Sequence, residues 1–514
     1  MIESSESAVR NKRIARNTFF LYIRMLFSMI ISLYTSRIVL EKLGIEDYGI
    51  YNIVGGIIFM LAFFTSSLSN ATQRFLSIEI GEKKLDRAKL IFNQSLLLYV
   101  CLIVVLILVC ETLGVWFIKE KLIIPFYRKE AAIFVFHFSL LSMMATIIQV
   151  PYVSAVIARE QLSVYAYLGI IEAVAKLVAA FILTAIITDK LIFYAVLVAG
   201  IHVMITAIYV FYCHHNYYEC QYQFYGDLQT AKKILSFVSL NLFGCFSYSF
   251  GMQGINIVLN LFFGPTLNAA RGVALQVSSA LSQFSGNMIT AVKPQIIKSY
   301  ASNDLPYMMK LLEYSSVYSC ILMLLFCLPL LYNIDFILHL WLKEVPPYTS
   351  IFVQLLIVES FWNTLTTPLW YIANATGNIK RSQVYGRCFI ASSCLLAYFL
   401  FKLELASSPV VVFVITLLAQ IGYWAYSVYD IHLQISLDIR YYFKKIVKPV
   451  FLVVLVAILV TLLPSLYISN EIIRFFVSSI ILVVTIITVT FFFVIGNVEK
   501  KMIICRVLRL IKNK

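Results

Sequence analysis

Charged side chains stand inside several long apolar runs of this sequence, and they are the residues whose chemistry is easiest to name. The candidates among them are Arg24, Glu172, Lys176, Arg271 and Glu359. A charged group at the depth of a membrane costs several kcal/mol unless it is paired or hydrated, so such residues mark ion pairs or binding sites. A guanidinium group presents a planar fork of donors that fits a phosphate. Arg24, about 11 Å into its apolar run, is therefore the first candidate for binding an anionic group.

Polar residues accompany two of these arginines at helical spacing. Ser28 and Ser32 follow Arg24 at intervals of four residues and share its face of a helix. In the run from 268 to 292, small and amide side chains form a stripe about 100° wide, with Arg271 about 60° outside it. Such a stripe either lines a polar cavity or packs helices together, and both interpretations stay open. The candidate binding residues are Arg24, Ser28, Ser32, Arg271, Gln276, Gln283 and Asn287.

The acidic residues within the runs have two interpretations. Glu172 and Lys176 are four residues apart with the acid nearer the N-terminus, a spacing at which the two groups pair along one helix. Glu359 has no oppositely charged residue in its own run, and Trp362 and Asn363, which follow it, would suit a sugar. The alternative for Glu172, Lys176 and Glu359 is a role in binding a coupling ion.

These candidates are positioned by apolar runs that occupy almost the whole chain. Of 514 residues, 61% are hydrophobic and 13% are charged, whereas about 25% are charged in an average soluble domain. Runs of about 20 apolar residues predict membrane-spanning helices. The composition therefore predicts an all-α polytopic membrane protein without a soluble domain. About fourteen spans are expected, at 17–40, 48–69, 91–116, 131–157, 164–187, 191–212, 234–262, 268–292, 311–332, 350–374, 385–401, 408–430, 446–468 and 472–495.

The basic residues are distributed unevenly between the loops. With the N-terminus inside the cell, 28 of the 41 Lys and Arg fall in cytoplasmic segments and 9 in outer segments. This threefold excess predicts that both termini are cytoplasmic. It also explains the net charge of +15 without a nucleic-acid partner. A cluster of Cys213, His214, His215 and Cys220 fits no common zinc spacing, so we expect no metal site.

Landmarks in the first half of the chain recur in the second half. Gly44 and Gly264 each follow an apolar run, and Pro151 and Pro368 recur at almost the same separation. Such recurrence predicts two related six-helix bundles of the same orientation, although coincidence among apolar sequences stays an alternative. The predicted domains are an N-terminal six-helix bundle at 1–230, a C-terminal six-helix bundle at 231–445, and an appended helix pair with a basic cytoplasmic tail at 446–514.

Three segments carry a likeness to a known family. They are residues 37–51, RIVLEKLGIEDYGIY, residues 264–272, GPTLNAARG, and residues 293–295, KPQ. With them the sequence resembles the bacterial polysaccharide (Wzx-type) flippases of the multidrug/oligosaccharidyl-lipid/polysaccharide (MOP) exporter superfamily, over essentially the whole chain. The resemblance implies two bundles around a cationic central cavity, alternating access, and a multi-pass location in the bacterial inner membrane.

The resemblance also implies a cargo. It would be an undecaprenyl-diphosphate-linked oligosaccharide repeat unit, moved to the outer leaflet for surface polysaccharide, lipopolysaccharide O-antigen or capsule. In such flippases cavity arginines are proposed to hold the diphosphate, and Arg24 and Arg271 are the matching positions here. We expect a monomer among membrane lipids, without a cofactor, driven by an H+ or Na+ gradient or by the membrane potential. A polysaccharide polymerase and a chain-length regulator would be its partners in the pathway.

Two other functions are alternatives. An ion-coupled multidrug (MATE-like) efflux transporter commonly has twelve spans and a buried acid in its first half, for which Glu172 stands here, and a cationic cavity would repel its cationic substrates. A membrane-embedded polysaccharide polymerase or glycosyltransferase needs acid/base groups held in a sizeable outer loop. The outer connections, about 117–130 and 333–349, are short. We therefore expect a transporter and not an enzyme.

Overall fold

The computed structural model describes the backbone of residues 2–159, 161–186, 188–223, 228–301, 303–376, 378, 381–467, 470–494 and 500. Among these, the side chains of residues 2–24 and of scattered positions in later helices, including Asn287, lie outside the described part. The described residues are almost entirely helical and contain no strand. This agrees with the predicted all-α membrane protein.

The helices of the first part of the chain are α1 (Ile2–Met60), α2 (Ala62–Gly81), α3 (Leu85–Val109), α4 (Val115–Glu120), α5 (Lys129–Ala158), α6 (Leu162–Ile182), α7 (Lys190–Asn216) and α8 (Leu228–Phe263). Those of the second part are α9 (Pro265–Ala301), α10 (Leu305–Tyr332), α11 (Ile334–Trp341), α12 (Thr349–Thr376), α13 (Arg387–Lys402), α14 (Val410–Ile435), α15 (Ile439–Tyr442), α16 (Lys448–Tyr467) and α17 (Glu471–Val489). A π-helical turn, Ser382–Gly386, leads into α13.

Each predicted span overlaps at least one of these helices, although most helices extend beyond the predicted bounds. The predicted span 48–69 crosses the bend between α1 and α2, because its residues are apolar on both sides of the bend. Among the described residues, eight helices are long and apolar enough to cross a membrane, or up to nine if the bent pair Met25–Met60 and Phe63–Ile80 is one span. The number fourteen and the cytoplasmic termini stay predictions.

Helix boundaries in the first part of the chain recur in the second part, displaced by the separation between Gly44 and Gly264. Gly44 interrupts α1 with φ 79° and ψ 169°, and Gly264 separates α8 from α9 with φ 78°. A side chain is strained at such a positive φ, so the chain has glycine at both breaks. The turn before α3 and the turn before α10 also match, with φ 60° at Lys83 and 59° at Asn303.

The later helices continue this pattern. α3 and α10 begin at Leu85 and Leu305, and α5 and α12 begin at Lys129 and Thr349. α7 and α14 begin at 190 and 410, and α6 corresponds to the stretch 382–402 formed by the π-helical turn and α13. Every one of these starts is displaced by the separation of Gly44 from Gly264, which agrees with a duplication of the first half. We call the two copies the first copy (α1–α7) and the second copy (α8–α14), and positions at this separation corresponding positions.

The chain forms two compact units. Unit 1 contains Met1–Val273, Lys343–Thr349 and Ile390–Val412, and unit 2 contains the remainder. Unit 1 packs apolar side chains of α1, α2, α3, α5 and α7 against one another. In unit 2 the appended helices α16 and α17 join the core formed by α10, α12 and α14, and Asn333 donates a hydrogen bond to Ser478 on α17, 3.1 Å. The domain boundaries at 231 and 446 stay predictions.

Candidate functional site

The first candidate site lies on α1. The side chain of Arg24 is outside the described part of the chain. Ser28 is half-buried and Ser32 is exposed. The hydroxyl oxygens of Ser28 and Thr35 are buried and make no hydrogen bond with any described residue. One and three turns after position 24, α1 therefore carries hydroxyl groups that are available to a ligand or a water.

Arg271, the second candidate arginine, is buried in unit 1, with 2% of its surface exposed. Its Nη2 donates to the carbonyl of Met252 on α8, 2.5 Å. Beside it, Asn268 Nδ2 donates to the carbonyl of Asn256, 2.8 Å. The Arg271 guanidinium therefore lies in a polar layer between α8 and α9.

The glycines of α8 serve close packing. A Cβ on Gly251 would lie 2.6 Å from the carbonyl oxygen of Ile390, and a Cβ on Gly254 would collide with the Cys394 thiol. Both partners belong to the stretch 390–402 of α13 within unit 1. Glycine is needed at these two positions because the helices approach too closely for any side chain.

The amide residues of α9 belong to unit 2. Gln276 is half-buried and Gln283 is exposed, while the Asn287 side chain lies outside the described part. A neighbouring face of α9 is tied to α12 by hydroxyl pairs, with Ser278 Oγ 2.7 Å from Ser360 Oγ and Ser285 Oγ 3.3 Å from Thr364 Oγ1. The amide stripe is thus distinct from the face of α9 that packs on α12.

Glu359 has a partner on another helix. Thr416 Oγ1 on α14 donates to Glu359 Oε2, 3.2 Å. The half-buried ring of Trp362 packs against the rings of Trp424 and Phe451, with centroids 4.9 and 5.8 Å away. A sugar-binding role for Trp362 stays a prediction. A sequence shows the aromatic residue but not the rings that other helices bring to it.

Glu172 and Lys176 form the ion pair that their spacing predicts. Lys176 Nζ donates to Glu172 Oε1, 2.7 Å. A third group was missed in the sequence: His202 on α7 places its Nε2 3.6 Å from the same carboxylate oxygen. The three side chains are half-buried. Glu172 is the central residue of α6, and His202 is near the middle of α7, where a charge costs about 3 kcal/mol. The sequence does show His202 as a single histidine inside an apolar run. Its partner Glu172 lies far away along the chain, so spacing alone does not identify the contact.

Further charged clusters hold the two ends of unit 1. At the predicted outer end, Arg128 Nε donates to Asp47, 2.7 Å, and its Nη1 donates to Asp189, 2.6 Å. Asp189 also accepts from the amide of Leu191, 3.0 Å, and so caps α7. An open cleft of about 640 Å³ lies here, lined by residues 42–47, 127–128 and 188–190. These contacts fix the loop that interrupts α1 at Gly44.

At the predicted cytoplasmic end, Arg159 binds Glu219 through two hydrogen bonds of 2.7 and 2.6 Å. Glu219 is fully buried, and this bidentate partner raises the pKa of Arg159 above its ordinary value. Nearby, the Cys213 thiol contacts the carbonyl of Tyr152, 3.7 Å. Across the described residues, no group of three His, Cys, Asp or Glu side chains is arranged to hold a metal ion.

The comparisons with known proteins identify the fold. No protein-family model and no curated protein matches the sequence. Solved structures do match. The lipid II flippase MurJ, in an inward closed conformation, has a TM-score of 0.68 at 14% identity, over 92% of this chain and 98% of that chain. The chain has the fold of MOP-superfamily transporters.

Two further structures support this assignment of the fold. An inward-facing multidrug resistance MATE family transporter of the MOP superfamily has a TM-score of 0.66 at 13% identity, over 80% of this chain and 95% of that chain. A MOP superfamily transporter from Pyrococcus furiosus, described as having a binding pocket of reverse polarity, has a TM-score of 0.60 at 13% identity, over 82% and 95%. The MurJ structure therefore matches more of this chain than these two.

Proposed function

We propose that this chain flips undecaprenyl-diphosphate-linked oligosaccharide repeat units across the bacterial inner membrane by alternating access, for surface polysaccharide such as O-antigen or capsule. The observation that carries the proposal is the likeness in fold to a lipid II flippase over 92% of this chain and nearly all of the other. The helices α16 and α17, which follow the two copies, are additional to the twelve spans common in drug-efflux transporters.

The residues of the site have distinct proposed roles. Arg24 neutralises the diphosphate, because a guanidinium binds phosphate oxygens through parallel hydrogen bonds. The Ser28 and Ser32 hydroxyls, on the same face of α1, donate to the same group. Arg271 contributes positive charge from its buried position between α8 and α9. The amides of Gln276, Gln283 and Asn287 hydrogen-bond sugar hydroxyls.

Flipping by the purified protein tests the proposal. The full chain is reconstituted in liposomes with an undecaprenyl diphosphate disaccharide that carries a nitrobenzoxadiazole label on the sugar. Dithionite, which does not cross the membrane, bleaches about half of the label in liposomes without protein. We expect bleaching well beyond half with this protein, and a large loss of rate in Arg24→Ala.

Controls separate binding of the cargo from damage to the fold. Arg474→Ala serves as the matched arginine variant, because Arg474 pairs weakly with Glu471, 3.9 Å, at the surface of unit 2. It should flip like the unaltered protein. If the label stays half-bleached with the unaltered protein, the flippase proposal is wrong; an unchanged rate in Arg24→Ala would remove Arg24 from the site.

Ion-coupled multidrug efflux is the second candidate, and Glu172 is the observation that favours it. This carboxylate lies at the centre of a span in the first copy. Binding of tetraphenylphosphonium by the purified protein, together with loss of its transport in Glu172→Gln, would favour efflux. The Lys176 ammonium bound to Glu172 argues against a site for organic cations, since the pair carries no net negative charge.

A further inference from the structure

Glu172, Lys176 and His202 form a cluster of titratable groups on two helices of unit 1. The Glu172 Oε1 oxygen accepts from Lys176 Nζ, 2.7 Å, and lies 3.6 Å from His202 Nε2. The other ring nitrogen of His202, Nδ1, is buried and has no hydrogen-bond partner among the described residues. One carboxylate oxygen is thus shared by two groups that compete for it.

The second copy indicates that the fold does not require this cluster. The corresponding positions in that copy are Ser392, Leu396 and Gly422, of which none titrates. In unit 2, Gly422 packs beneath the ring of Phe389, where an added Cβ would lie 3.1 Å from the ring. The same helix lengths and breaks therefore form with an uncharged set of residues, and the cluster of the first copy needs another explanation.

The neighbouring helices bring few other charges to His202. The hydrogen bond from Thr206 to the carbonyl of Ala145, 3.0 Å, fixes the register of α7 on α5. It sets residues 138–144 of α5 beside His202, and none of them titrates. His137, one residue before them, contacts Glu111, 3.1 Å.

On the α1 side, the register comes from an aromatic pair. The rings of Tyr34 and Phe181 are 6.1 Å apart, and α1 and α6 run in the same direction in the predicted topology. Both helices rise by about 1.5 Å per residue, so residues equally far before Tyr34 on α1 and before Phe181 on α6 lie at the same depth. Residues 25–29 of α1 are therefore level with Glu172 and Lys176. The proposed diphosphate-binding position, 24, is therefore next to this level.

We propose that proton binding to His202 switches Lys176 into the site for the cargo's phosphate groups. With a neutral imidazole, Glu172 holds the Lys176 ammonium and the cluster carries no net charge. A proton on His202 makes an imidazolium that takes the Glu172 carboxylate, and the ammonium is released to bind a phosphate-class anion. The added positive charge is offset by that anion, so proton and anion bind together. This inference rests on the proposed function, since it assumes a diphosphate cargo.

Binding of geranylgeranyl diphosphate to the full chain in detergent, measured by calorimetry at pH 5.5 and pH 8.0, tests the switch. We expect binding about tenfold tighter at pH 5.5, a typical size for linkage between two sites. His202→Gln should lose this gain, and the comparison cancels the titration of the diphosphate itself. Glu172→Gln, which frees Lys176 at every pH, should bind tightly at both pH values, and Lys176→Met should bind weakly at both.

The matched control is His137→Gln, which removes a histidine from another glutamate pair in the same copy and should keep the pH dependence. His202→Asn replaces His202→Gln if the latter does not fold. The switch is overturned if His202→Gln keeps the gain at pH 5.5, or if Lys176→Met binds like the unaltered protein. If the unaltered protein binds no geranylgeranyl diphosphate at either pH, the flippase proposal falls as well, so the two failures are distinguishable.

Discussion

The two copies share their helix boundaries but not their charges. α3, α5 and α7 begin at positions that correspond to the starts of α10, α12 and α14, and the breaks at Gly44 and Gly264 have nearly the same φ. The first copy, however, has an ion cluster of Arg128, Asp47 and Asp189 where the second has Tyr348, Leu267 and Pro409. The shared helix boundaries therefore do not depend on these charges. The charges of the first copy either hold its ends or have the role in transport that we propose, and substitutions can separate these roles.

The ion pair of the half-buried Arg159 with the fully buried Glu219 gives the largest expected effect. The second copy has Ile379 and Ile439 at the corresponding positions. Arg159→Ile alone should lower the free energy of unfolding by about 3–5 kcal/mol, because it leaves the fully buried Glu219 carboxylate without its partner. The double variant Arg159→Ile with Glu219→Ile should be close to neutral, since an apolar pair replaces the ion pair.

Denaturant unfolding of the full chain in detergent measures both variants. Arg474→Ala is the control, because an exposed pair contributes about 1 kcal/mol or less. If the single variant is as stable as the double variant, Glu219 has found solvent or another partner, and the pair does not hold this end of unit 1.

A smaller effect is expected from exchanging residues of the two copies at the close approach of α8. Ile31 in the first copy corresponds to Gly251 in the second. Gly251→Ile should cost about 1–3 kcal/mol of unfolding free energy, because the new side chain meets the backbone of Ile390. Ile31→Gly removes a buried side chain and introduces no clash, so any loss of stability in that variant comes from lost packing. Denaturant unfolding measures both variants. If Gly251→Ile is as stable as the unaltered protein, the close approach of α8 to Ile390 is contradicted.

The sequence predicts what is local and misses what joins distant segments. Apolar runs predict the helices because each run is long enough to span a membrane, and the spacing of Glu172 and Lys176 predicts their pair because four residues are one helical turn. His202 and the partners of Arg128 lie far away along the chain. The contacts of His202 with Glu172, and of Arg128 with Asp47 and Asp189, depend on how α6, α7 and the loop at Gly44 pack. The periodicity of the sequence does not predict that packing.

The turns before α3 and α10 allow a finer comparison. Asp304 caps α10 by accepting from the amide of Tyr307, 3.1 Å, whereas Lys84, at the same place before α3, makes no side-chain cap. Asp304→Ala should cost about 1 kcal/mol of unfolding free energy, and Lys84→Ala should cost almost none at neutral pH. Denaturant unfolding of the two variants checks this difference. Equal losses would show that the cap does not distinguish the two turns.

The smallest effect concerns acid. The ion pair with Lys84 lowers the pKa of Glu82 below its usual 4.5. Since the folded-state pKa is depressed, the pair stabilises the fold above pH 4.5, and this contribution is lost as the pH falls through the folded-state value. In Lys84→Ala, unfolding followed between pH 7 and pH 3 should therefore depend less on pH than in the unaltered protein. The difference is small because the pair is exposed and screened by solvent. If the unfolding free energy of Lys84→Ala depends on pH as strongly as that of the unaltered protein, Lys84 does not pair with Glu82 in solution. The two turns would then differ only in the cap at Asp304.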